Sequence, residues 1–103
     1  MELTLLTVPA CPSAAAFEQQ LAAALAGRAG FVVHRREIAD ERAAAEAGMH
    51  GSPTLLINGA DPFAWPGQPP SLSCRLYRDA SGRLGPAPSA EALRQVLAAA
   101  AGS

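Results

Sequence analysis

Lysine is absent from this 103-residue chain: all eight basic side chains are arginine, and nine acids bring the net charge to -1 at pH 7. A surface without a basic excess has no field to hold phosphate backbones or anionic lipids, which argues against a nucleic-acid or membrane partner. Long hydrophobic runs are missing too. The apolar stretch 3–8 has no basic region before it and is cut off by Pro9, so it resembles neither a signal peptide nor a membrane span. The expectation is a cytoplasmic protein. Cysteine is scarce, and Cys11 and Cys74 are too few for a secreted disulfide framework and too far apart for a local zinc knuckle. They read as reactive or buried thiols, with no cofactor and no metal site implied. Aromatic residues make up only 5%, so the core must come mostly from Ala, Leu, Val and Ile.

What is present is a globular composition, half hydrophobic and 17% charged, of a length that fits one domain over residues 1–103. Residues 3–8 are aliphatic and β-branched and end at a proline, the pattern of a buried strand. Phe17, Leu21 and Leu25 recur every fourth residue, predicting a helix over 12–26 that stops at Gly27. A second strand is predicted over 31–38. Asp40 then caps a short helix over 41–47 that Gly48 ends. A third strand follows Pro53 and closes at the turn signal Asn58-Gly59.

Four prolines between Asp61 and Pro70 make the next segment a rigid loop. Beyond it, alternation over 73–78 puts Cys74 and Leu76 on one face and Arg75 and Tyr77 on the other of a half-exposed edge strand, with a possible short return at Arg83-Leu84. Ser89 caps a last helix with Leu93, Val96, Leu97 and Ala100 on one face. The order is β-α-β-α-β-β-α, an α/β domain with a four-stranded mixed sheet flanked by helices.

Cys11 lies where the first strand turns into the first helix. With Cys11 as N-cap and Pro12 as the first helical residue, free amides and the positive end of the helix dipole would face the sulfur and favour thiolate over thiol. The bland alternative is a small buried cysteine. Ser13 is placed to donate to the thiolate or simply to be solvated near the helix start.

Cys11-Pro12-Ser13-Ala14, followed some forty residues later by Gly51-Ser52-Pro53-Thr54-Leu55-Leu56, resembles the thioredoxin-like superfamily, in a single-cysteine variant. The order of elements is similar over nearly the whole chain. The resemblance implies that Cys11 is a nucleophile in thiol-disulfide exchange and that Pro53 is a cis-proline facing it. Such a turn would leave the Ser52 backbone exposed to pair with an extended peptide or small thiol. Dithiol relatives carry a second cysteine where this chain has Ala14, so a mixed disulfide on Cys11 must be resolved by an external thiol or by Cys74. His50, in the same loop as Pro53, is either a group reaching toward Cys11 or a surface histidine without a role.

Pairing of 73–78 with 54–57 as a hairpin would put Cys74 more than about 10 Å from Cys11, at about 3.3 Å per residue. A disulfide needs Cα atoms within about 7 Å, so Cys74 is read first as a buried strand cysteine. Phe63 and Trp65, in the proline-rich loop, either cover a groove or close a satellite core. Asp61 is either an acid near the site or a shaper of the turn.

Three functions follow from these residues. The first is a monothiol oxidoreductase acting through Cys11 on a small thiol or disulfide-bearing protein, with Pro12, Ser13, His50, Ser52 and Pro53 on the substrate side. The second is a soft-metal or organomercurial site made by Cys11 and Cys74. It resembles small bacterial proteins named after alkylmercury lyase and takes Asp61 as its remote acid. The third is a redox-inactive binding module that recognises a partner through the aromatic loop. The sequence fixes no oligomeric state.

Overall fold

The computed structural model describes residues 1–102. Strand β1 (Glu2–Thr7) lies at the centre because its side chains alternate between two apolar environments. Leu3 and Leu5 point into one core, Leu6 into another, and all three are buried. β1 pairs parallel with β2 (Val32–Glu37) and antiparallel with β4 (Thr54–Ile57), giving the sheet order β2-β1-β4. Helices α1 (Ala14–Leu25) and α3 (Ala90–Gly102) cover one face, where Phe17, Leu21, Ala24, Leu93 and Leu97 meet Leu3, Leu5, Leu55 and Ile57. Helix α2 (Glu41–Ala47) covers the other, where Ala44 joins Leu6, Ile38, Met49 and Leu56. The protein is therefore mixed α/β, and no helix among the described residues is long and apolar enough to cross a membrane.

Local chemistry sets most boundaries as the sequence predicts. The Asp40 carboxylate accepts from the Ala43 amide at 2.8 Å and starts α2, which ends at Gly48 in the left-handed conformation, φ 76°. The Ser89 hydroxyl accepts from the Ala92 amide at 3.1 Å at the start of α3. Asn58 and Gly59 both take positive φ, 50° and 86°, at the end of β4. Asn58 also accepts the Glu2 amide through its side chain at 3.0 Å, which ties the turn to the start of β1. β2 is one edge of the sheet and carries charge along it: His34 pairs with Glu2, Arg35 pairs with Glu18, and Arg36 and Glu37 are exposed.

The expected four-stranded sheet is not what forms. The predicted third strand forms as β4, but Pro53 sets it off from a further strand before it, β3 (His50–Ser52), and the bond between Ser52 and Pro53 is cis. β3 leaves the sheet and pairs parallel with β5 (Ser71–Cys74) in a separate two-stranded unit. The strand predicted over 73–78 is likewise split, since after Arg75 and Leu76 the chain forms a short hairpin from β6 (Tyr77–Arg78) and β7 (Leu84–Gly85).

The alternation in that stretch is real, with its faces exchanged. Arg75 and Tyr77 are buried, while Cys74 and Leu76 are exposed. Tyr77 wins burial by stacking edge-on against both Phe17 and Phe63, at 5.4 and 5.5 Å between ring centroids. Arg75 wins it by finding a buried carboxylate.

Leu55 is fully buried in the larger core and stands opposite Leu5 in the β1-β4 ladder. Leu55→Ala is expected to cost about 2–5 kcal/mol of stability, measured by urea unfolding, because a closely packed sheet face collapses poorly around a cavity.

Candidate functional site

Between β1 and α1 the chain makes two tight turns. Ala10 has φ 56°, the Cys11 amide donates to the Val8 carbonyl at 3.2 Å, and the Cys11 carbonyl accepts from Ala14 at 3.3 Å. The first helical bond runs from the Phe17 amide to the Ser13 carbonyl, so the N-cap is Ser13, not Cys11, and Pro12 stands before the helix rather than at its first position. The second turn uses up the residues expected to begin the helix. The Ser13 side chain makes no capping bond.

What meets the sulfur is a side chain from β3. The Ser52 hydroxyl donates to Cys11 Sγ at 3.0 Å and accepts from the Val8 amide at 3.0 Å. An amide can only donate, so the serine proton is left for the sulfur. Ser52 is 1% exposed, which fixes its rotamer and holds this donor in place.

The Ser52 backbone is not free for a substrate, contrary to the sequence expectation. Its carbonyl accepts from the Arg75 amide at 3.0 Å, and Cys74 is its neighbour across the β3-β5 ladder. The chain's own strand occupies the edge that a peptide was expected to use, because the loop 60–70 is long enough to bring β5 back alongside β3. Cys74 is exposed on that strand rather than buried. Both thiols are free.

Beneath β3 lies a polar cluster whose centre is Asp61, with a side chain 2% exposed. One carboxylate oxygen accepts from Arg75 at 2.6 Å and from His50 Nδ1 at 2.7 Å. The other accepts from the Phe63 amide at 2.9 Å and, more distantly, from Arg75 at 3.4 Å. Asp61 thus shapes its turn and also neutralises a buried arginine. His50 is bound to it and makes no hydrogen bond to Cys11. Thr54 completes the cluster, accepting from the His50 amide at 3.2 Å and from Arg75 at 3.3 Å while donating to the Gly51 carbonyl. Gly51, at φ 118°, lets Arg75 pass: a Cβ there would lie 2.8 Å from the Arg75 Cβ.

Tyr77 donates to the Pro53 carbonyl, and burial pushes its phenol pKa up, against a smaller opposing pull from Arg75. The loop aromatics divide: Phe63 packs on Tyr77, and Trp65 is 61% exposed. Among the described residues no three His, Cys, Asp or Glu side chains gather as a metal site.

Arg75, Thr54 and Tyr77 have no role in the sequence reading. Nothing local distinguishes Arg75 from a solvated strand residue, and its partner Asp61 lies fourteen residues away across the proline-rich loop. Compared with known proteins, the chain matches no family model, no curated protein and no solved structure.

Removing the cation from this cluster leaves the Asp61 carboxylate buried with fewer donors. Arg75→Met is therefore expected to destabilise the fold by about 3–5 kcal/mol in urea unfolding, far more than Arg94→Met at an exposed ion pair, about 0–1 kcal/mol.

Proposed function

We propose that this chain is a monothiol thiol-disulfide oxidoreductase of thioredoxin-like type, with Cys11 as its nucleophile. The observation that carries the reading is the hydrogen bond from the buried Ser52 hydroxyl to Cys11 Sγ. The thiolate is the attacking species, and a fixed O–H donor is aimed at the sulfur that would carry its charge. The arrangement of β1 between parallel β2 and antiparallel β4, with helices on both faces, supports the fold reading.

In the reaction, Cys11 as thiolate attacks one sulfur of a substrate disulfide. The substrate S–S bond breaks, a Cys11 mixed disulfide forms, and the departing thiolate takes a proton from solvent. Ala14 offers no thiol, so a second, external thiol releases Cys11 by the same exchange. Substrate comes to Cys11 from the side of the turn 9–13, since the β3 edge is filled by β5. Small-molecule disulfides and exposed protein disulfides both suit such an approach, and the cytoplasm supplies the reducing thiols.

Turnover of 2-hydroxyethyl disulfide with a reduced small thiol tests this in a Cys74→Ser background. Adding Cys11→Ser is expected to abolish turnover and the mixed disulfide on the peptide that contains residue 11. Adding Ser52→Ala is expected to lower the rate about tenfold, the worth of one hydrogen bond to a charged acceptor. Undiminished turnover without Cys11 would overturn the reading.

A further inference from the structure

Cys74, His50 and Asp61 have no part in the Cys11 chemistry, and the fold brings them together elsewhere. His50 and Cys74 line one cleft of about 280 Å³, whose other walls include Trp65, Gln68, Ser73 and Leu76. The two residues sit on adjoining strands. Cys74 is opposite Ser52, two residues along β3 from His50, which stands opposite Ser71 across a shift of register.

The imidazole is oriented as well as near. Its Nδ1–H donates to Asp61 at 2.7 Å, and Asp61 is itself clamped by Arg75 at 2.6 Å. In the neutral imidazole with Nδ1 as the donor, Nε2 carries the lone pair, and among the described residues it has no hydrogen-bond partner. His50 keeps 20% side-chain exposure, so Nε2 remains accessible from the cleft, while the 2% exposed Asp61 stays behind it. A base held by a buried carboxylate beside an exposed thiol is the arrangement that activates a cysteine nucleophile.

We infer that this cleft is a second thiol site, in which His50 is the general base for Cys74 and the substrate is a small, uncharged disulfide. The inference stands apart from the reading of Cys11. The Cys74 S–H proton passes to His50 Nε2, and the thiolate attacks one sulfur of the disulfide. A Cys74 mixed disulfide forms as the substrate S–S bond breaks, and the departing thiolate takes the proton back from Nε2 and leaves as a neutral thiol. Trp65 and Leu76, 61% and 59% exposed, supply apolar walls for the organic groups, and Gln68 and Ser73 supply polar ones. Arg75 is already neutralised by Asp61, so the cleft has no spare cation for an anionic substrate.

The test uses the Cys11→Ser protein and 2-hydroxyethyl disulfide, following modification of Cys74 by peptide mapping. His50→Ala in this background is expected to slow modification at least tenfold, and added imidazole is expected to restore the rate in His50→Ala while leaving the parent unchanged. His50→Gln, which can still donate to Asp61 but is no base, is expected to be equally slow, and it decides the matter if His50→Ala does not fold. A Cys74 rate unchanged in either variant, or equal acceleration of parent and variant by imidazole, would overturn the assignment. So would modification of the parent no faster than that of the same protein unfolded in urea.

Discussion

A carboxylate withdrawn from water must be met by donors, and Asp61 meets four of them from three separate parts of the chain. The Phe63 amide belongs to its own loop, His50 to β3, and Arg75 to the junction after β5. Because Arg75 is held from below, β5 is drawn alongside β3. Its amide then reaches the Ser52 carbonyl, and Ser52 is left with only its hydroxyl to offer Cys11. The position of the Cys11 sulfur's partner thus traces back to one ion pair. Desolvating both charges is costly, so such a pair does more to specify this arrangement than to stabilise it relative to a well-packed apolar alternative.

Ser52 divides its bonding between two tasks. Its carbonyl completes the β3-β5 ladder, and its hydroxyl is shared between the Val8 amide and the Cys11 sulfur. The first task closes the sheet edge next to the thiol. The second keeps a donor on that thiol. A protein that exposed the Ser52 backbone could pair it with an extended peptide, whereas here, on the proposed function, selection falls to what can approach the turn over Cys11.

Much of the framework was legible in the sequence because it is written locally. The aliphatic run of β1 ended by Pro9, the stripe of Phe17 and Leu21, the Asp40 cap, the Gly48 stop and the Asn58-Gly59 turn each depend on neighbours within a few residues, and each is found. The misreadings share a different origin. Exchanged faces at Cys74 to Tyr77, the fourth strand that paired outside the main sheet, and the pairing of His50 with Asp61 all depend on where the loop between β4 and β5 returns, which periodicity does not encode. Hydropathy ranks arginine outside and cysteine inside, and here a buried carboxylate reversed both. The helix start was misplaced by two residues because a second turn, closed from the Ala14 amide to the Cys11 carbonyl, takes up Pro12 and Ser13, and it follows a first turn through Ala10 at positive φ that has no signature in an Ala-Cys-Pro sequence.

The charged edge of the sheet has a consequence for how the chain behaves in a crowd. β2 presents unpaired backbone groups along its outer side, which is a template for a strand from another molecule. A newcomer lying along that side would have to settle among His34, Arg35, Arg36 and Glu37, stripping water from imidazole, guanidinium and carboxylate groups over four consecutive positions. Those four residues act as gatekeepers, so that open-ended stacking of copies into fibrils is discouraged where the sheet is otherwise unprotected.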